Sequence, residues 1–179
     1  LPVRLDHTAS GLQIVALLTD DKELQRLTNL ADNKEPNDVY ETLLDSIKQL
    51  LFKSGRPENH AWVSLGINRK LVKNITVQYM YGGSTYGLER AVVNWYIEKQ
   101  NDIFQENIYK EITVLLDYYH EALSLISPAP KKFITDHRES QKDKLLSWTS
   151  ASGFPVLNLY HPQKSTRVRT AVGGAVISG

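Results

Sequence analysis

Arg69, Lys73 and Tyr81 are the residues of this 179-residue chain whose types and spacing point most directly to chemistry. Arg69 and Lys73 are four apart, so on a helix they share one face. Asn68 precedes them and is a residue that caps helices, which puts both cations near a helix N-terminus where the dipole also favours anions. Such a face suits a triphosphate, with arginine offering a fork of donors and lysine a point charge. Tyr81 lies two turns beyond Lys73, about 12 Å along a helix axis, which is the reach of a nucleotide from its phosphates to its sugar and base. Taken alone, the same residues also describe a solvated basic face and a core tyrosine. A second candidate is Asp6, at the end of a short strand in which Val3 and Leu5 alternate with Arg4. A carboxylate there, ahead of the turn through Ser10 and Gly11, is well placed for Mg²⁺, which takes one or two carboxylates together with phosphate oxygens and water. It is equally a turn or capping aspartate.

The rest of the composition bounds the function. With 41% apolar and 23% charged residues the chain has enough apolar material for a real core. A net charge of +1 means that any nucleic-acid site must be a local cluster of cations. No cysteine is present, which excludes disulfides, thiol catalysis and thiolate zinc sites. No apolar run approaches the roughly 20 residues of a membrane span, and the opening Leu1-Pro2-Val3-Arg4 has no signal-peptide pattern. Lacking an initial methionine, the chain is expected to be part of something longer.

Periodicity supplies the elements that must hold these residues. Ser10 and Gly11 open a helix carrying Leu12, Val15, Ala16 and Leu18, and residues 28–37 read as a loop. Asn37 is expected to cap a helix that runs to about Lys53 on a stripe of Val39, Leu43, Ile47, Leu50 and Leu51. Ser54-Gly55-Arg56-Pro57 ends it. A helix over 69–80 follows, with Leu71, Val72, Ile75 and Tyr79 inward, stopped by Tyr81-Gly82-Gly83-Ser84. Helices are expected over about 85–100 and 103–126, the second ended by Pro128-Ala129-Pro130, with Asp136-His137 in a loop. Residues 146–160 read as a hairpin turning at Ser150-Ala151-Ser152-Gly153, and Thr166–Thr170 as a last strand.

The string Arg69-x3-Lys73-x7-Tyr81-Gly82, extended by Tyr86-Gly87, resembles motif B of the single-subunit RNA polymerases of bacteriophages and mitochondria. Asp6-His7-Thr8-Ala9-Ser10-Gly11-Leu12-Gln13 resembles their motif A. Asn29-Leu30 with Pro36-x-Asp38-Val39-Tyr40, and Trp148-Thr149-x3-Gly153-Phe154-Pro155-Val156, resemble two further segments of that family, although Ser150-Ala151 replaces its Thr-Pro. The link from Tyr40 to Arg69 is short for the family.

The resemblance implies an α+β fold, part of a right-hand polymerase, with palm strands and a mostly helical fingers insertion. Residues 1–27 would be palm, 28–145 fingers, and 146–179 a hairpin and strand returning toward the palm. It implies that Asp6 and the carbonyl of His7 bind Mg²⁺, that Arg69 and Lys73 grip the phosphates, and that Tyr81, beside Gly82, sits at the sugar. Lys73 and Tyr81 would share the catalytic role with Asp6. Gly11 stands where the related family A DNA polymerases place a glutamate that excludes the ribose 2′-OH, so the implied substrates are ribonucleoside triphosphates. The implied partners are a DNA template, an RNA product and the remainder of the polymerase, in a phage-infected bacterium, a virion or a mitochondrial matrix. Motif C, with the second metal-binding aspartate, has no counterpart in these residues; Asp136-His137 has the wrong order. The chain would thus be an excised fragment, one subunit of a split polymerase, or a decayed relative retained as a DNA- or protein-binding module. A piece of a family A DNA polymerase is the alternative that Gly11 argues against.

Overall fold

The computed structural model describes residues 9–99, 103–140, 146–150, 152–158, 165–170 and 173–178. The expected first strand, with Asp6 and His7, lies outside them. Eight α-helices are described: α1 (Ser10–Leu18), α2 (Lys22–Leu27), α3 (Val39–Lys53), α4 (Pro57–Ser64), α5 (Arg69–Met80), α6 (Thr85–Glu98), α7 (Ile108–Ile126) and α8 (Ala129–Ser140). Four strands follow: β1 (Leu146–Thr149), β2 (Pro155–Asn158), β3 (Ser165–Thr170) and β4 (Gly173–Ser178). The described chain is therefore mostly helical, with its strands gathered after the helices as two antiparallel hairpins, β1–β2 and β3–β4. It divides after Asp136 into two compact units.

Local chemistry explains the helix boundaries, including those that differ from expectation. Asn68 caps α5 as its residue type predicts, its side chain accepting the Leu71 N–H at 3.1 Å. The cap of α3 is Asp38, not Asn37: one carboxylate oxygen accepts the N–H groups of Tyr40 and Glu41. Asn37 is engaged elsewhere, its N–H and C=O both bonded to the side chain of Asn29. Two short helices escape the periodicity reading because neither spans enough turns to show a stripe. Helix α2 is capped by Asp21, which accepts from Leu24 N–H at 2.9 Å. Helix α4 begins at Pro57, where a missing N–H costs nothing. The same tolerance lets Pro130 sit in the first turn of α8, so the Pro128-Ala129-Pro130 segment ends one helix and starts another, and Asp136-His137 is helical rather than in a loop. Leu18, the last residue of α1, is exposed.

The helical unit buries one continuous core. Helices α3 and α7 pack together, α5 lies against α3 and α6, and α1 meets α2 and α5. Leu43, Ile47 and Leu51 from α3 meet Ile112, Leu116 and Leu123 from α7, while Leu71, Val72 and Ile75 fill from α5. Each such side chain contributes roughly 1.5–3 kcal/mol on burial. Trp62 of α4 is enclosed by Trp95, Tyr96 and Phe104, with the Phe104 ring centroid 4.5 Å away. Arg56, the α4 cap residue, pairs at 3.2 Å with Glu111 of α7, which is buried.

One buried polar contact pins α7 to α5. The Tyr119 hydroxyl donates to Thr76 Oγ at 3.2 Å, and Thr76 Oγ in turn donates to the Val72 carbonyl at 2.8 Å. Burial pushes the Tyr119 phenol well above its ordinary range. Tyr119→Phe keeps the ring packing and removes only this bond, so it should lower stability by about 1 kcal/mol, read as a lower urea midpoint at unchanged slope.

Candidate functional site

Helix α5 carries Arg69 and Lys73 and ends just before Tyr81, and its inward face decides where the two cations point. Leu71, Val72, Ile75, Thr76 and Tyr79 are buried, which leaves Arg69, Lys73 and Val77 along an outer edge. Lys73 and Tyr81 line one cleft of about 280 Å³, together with Thr76, Val77 and Met80 of the same helix. Its opposite wall is Ala9, Ser10, Gly11 and Leu12 at the start of α1, and Tyr40 of α3 closes it. The structure thus brings together Gly11, Lys73 and Tyr81 from segments far apart in sequence. Lys73 is exposed and forms no ion pair among the described residues, so its charge is free for an anion entering the cleft. Tyr81 is 76% exposed, its ring at the mouth of the cleft rather than in the core.

Tyr81 owes its position to the way α5 stops. Gly83 N–H donates to the Gln78 carbonyl at 2.8 Å and Gly82 N–H to the Tyr79 carbonyl at 3.0 Å, the paired bonds of a Schellman end. Gly82 has φ 74°, open to glycine and strained for other residues. A Cβ at Gly83 would sit 2.6 Å from the Gln78 carbonyl oxygen. Gly82, expected beside the substrate, is in the described structure a helix terminator that sets the direction of Tyr81.

Gly11 is also a packing residue. A Cβ built there would fall 2.9 Å from Met80 Cβ, so α1 and α5 approach closely only because position 11 has no side chain. Met80, the one methionine of the chain, carries no sequence signal for this role.

Arg69 is not among the cleft-lining residues. Its Nε donates to Asp38 Oδ2 at 2.5 Å, and its guanidinium lies over the Tyr40 ring, 5.2 Å from the centroid. It stands one ring away from the cleft, since Tyr40 is itself part of the wall. Partial burial favours the neutral form of Asp38, but the Arg69 guanidinium and the N–H groups of Glu41 and Tyr40 outweigh it and hold the carboxyl below the usual range. The bond to Asp38 raises the pKa of Arg69. A second groove of about 420 Å³ runs between α5 and α6 and shares Lys73; Lys70, Asn74, Gln78, Asn94, Trp95 and Glu98 also line it. Within it Lys70 pairs with Glu98 at 3.6 Å.

Asp6 and His7 lie outside the described residues, and among the described residues no three His, Asp or Glu side chains cluster as metal ligands do. No described helix is long and apolar enough to cross a membrane.

A cation on α5 and a tyrosine just past its C-terminal end thus face a glycine at the head of α1. The chain belongs to the DNA-dependent RNA polymerase family, whose model matches residues 1–178, and its relatives place it with the single-subunit phage and mitochondrial enzymes. It is 23% identical over 95% of its length to the mitochondrial DNA-directed RNA polymerase of Schizosaccharomyces pombe, covering 16% of that protein. It is 24% identical over 94% of its length to the mitochondrial enzyme of Mus musculus, covering 14% of it. With the DNA-directed RNA polymerase of Enterobacteria phage T3 it shares 19% identity over 94% of its length and 24% of the relative. The chain therefore spans between about a seventh and a quarter of these proteins.

Because Gly11 sets the spacing of the two cleft walls, Gly11→Ala should cost about 1–3 kcal/mol, as overpacking does. Chemical denaturation of the variant beside the parent chain checks this; an unchanged midpoint would mean that Met80 yields without cost.

Proposed function

We propose that the Gly11–Lys73–Tyr81 cleft receives a ribonucleoside triphosphate and that the chain is the nucleotide-binding part of a DNA-directed RNA polymerase. The observation that carries this reading is the convergence of the motif A glycine with the motif B lysine and tyrosine on one cleft. In the reaction the 3′-hydroxyl oxygen of the RNA bonds to the α-phosphorus, the bond to pyrophosphate breaks, and the hydroxyl proton is released. Lys73, with Arg69 beside it, would offset the charge of the phosphates. Tyr81 would offer its hydroxyl to the ribose 2′-OH, and bare backbone at Gly11 would leave that hydroxyl room.

Asp6 and the His7 carbonyl are hard oxygen donors of the kind that Mg²⁺ takes together with phosphate oxygens. Mg²⁺ held there would supply charge neutralisation at the reacting phosphate. In the same reading residues 1–27 are palm, 28–145 fingers and 146–179 a return toward the palm. The template is DNA, the product RNA, and the remainder of the polymerase is the partner. The names of the relatives favour a mitochondrial or phage-infected setting.

Two outcomes test the reading. In the complete enzyme, Tyr81→Phe spares stacking but removes one hydrogen bond worth about 1 kcal/mol, so preference for ribonucleotides over deoxynucleotides should fall by up to about tenfold with turnover largely kept. Unchanged sugar preference at normal turnover counts against Tyr81 as the sugar sensor. The 179 residues alone should not extend a primer, because the chemistry uses two metal ions and motif A brings one of the carboxylates that hold them. Primer extension with ribonucleotides and Mg²⁺, run with and without the segment bearing the His-Asp turn, checks this. Templated extension by the chain alone, abolished by Asp6→Ala, would place a second catalytic carboxylate within these residues.

A further inference from the structure

The Arg69–Asp38 pair is not explained by stability. Both side chains are more than a third exposed, at 38% and 37%, and pairs in that setting contribute little. The carboxylate is nevertheless fixed from several directions. Oδ1 accepts Tyr40 N–H at 3.0 Å and Glu41 N–H at 3.3 Å, while Oδ2 takes Arg69 Nε at 2.5 Å. The residue before it is clamped as well. Asn29 accepts Asn37 N–H at 2.7 Å and donates to Asn37 C=O at 2.8 Å, and Asn37 Nδ2 donates to Arg26 C=O at 3.0 Å. Asn29 takes φ 61° to make this bridge, a left-handed conformation that asparagine tolerates better than most residues. The backbone at Asp38 is therefore held before its side chain meets Arg69.

The pairing also uses only one edge of the guanidinium. Nε is bonded to Asp38 and one face covers Tyr40, while among the described residues the terminal amino groups have no protein acceptor. A free arginine loses much rotamer freedom when it grips an anion, and anchoring it beforehand reduces that loss.

We infer that Asp38 is a positioning residue: it anchors Arg69 by Nε against the Tyr40 ring, beside the Gly11–Lys73–Tyr81 cleft, so that the terminal amino groups meet the phosphates of a bound nucleoside triphosphate. The inference rests on the nucleotide reading of the cleft. It assigns a purpose to the Asn29…Asp38-Val39-Tyr40 segment, whose four named residues are the clamp's anchor, the carboxylate, the first helical residue and the ring.

Binding of ATP to the full chain, measured by titration calorimetry, tests it. Asparagine and serine both cap helices, so Asp38→Asn and Asp38→Ser keep α3 and remove the acceptor for Arg69; thermal melts confirm folding. Arg69→Ala and Lys73→Ala should each weaken binding. Asp38→Asn and Asp38→Ser should weaken it by about two- to tenfold, the worth of one side chain ordered in advance. In the Arg69→Ala background Asp38→Asn should have no further effect, a non-additivity that a merely structural role would not produce. Full or increased affinity in both Asp38 variants, with losses in Arg69→Ala and Lys73→Ala, overturns the inference alone; increased affinity would mean that Asp38 competes with phosphate for Arg69. No ATP binding by the parent chain, or affinity unchanged in Arg69→Ala and Lys73→Ala, overturns the nucleotide reading and the inference with it.

Discussion

Burial of one face of α5 is the constraint on which the site depends. Leu71, Val72, Ile75 and Tyr79 go into the core, and Thr76 joins them with its hydroxyl bonded at both ends. Apolar burial of several such side chains outweighs any exposed ion pair by a wide margin. The rotation of α5 about its axis is therefore set from inside. The outer positions have no say in it, and Lys73 meets the cleft as a consequence of what the opposite face buries.

The end of α5 adds a second constraint of a different kind. Helical periodicity does not extend past Met80, so the place of Tyr81 depends on how the backbone leaves the helix. Gly82 turns the chain through a left-handed conformation and Gly83 passes so near the Gln78 carbonyl that a side chain there has no room. The tyrosine two residues earlier than Gly83 could not hold its place at the cleft mouth with an ordinary pair of residues in the turn. Gly11 acts similarly across the cleft, where its missing side chain admits Met80. Three glycines thus define the space between the walls by what they lack.

Arg69 shows how a residue of one motif is handled by another segment. Its helix position gives it the same face as Lys73, but its guanidinium is turned aside to Asp38 and Tyr40. The loop between α2 and α3 carries an asparagine bridge that fixes this carboxylate. The family segments around α3 and α5 are thereby linked through one ion pair and one ring.

Much was legible in the sequence because its physics is local. The 3.6-residue period of α3 and α5, the Asn68 cap, the glycine stop after Tyr81 and the turn between β1 and β2 each rest on neighbours a few residues apart. The spacing of Arg69 and Lys73 likewise follows from one helix. Short helices such as α2 and α4 were not legible, since one or two turns carry no periodic stripe and their starts depend on Asp21 and Pro57. The choice of Asp38 over Asn37 as a cap was not legible either, because both residue types can cap and only the Asn29 bridge and the Arg69 pair separate them. What tertiary structure alone decided is the meeting of Gly11 with Met80, the closing of the cleft by Tyr40 and the diversion of Arg69. Those contacts join α1, α3 and α5 across the core, and no local propensity encodes a distance between helices that only their packing sets.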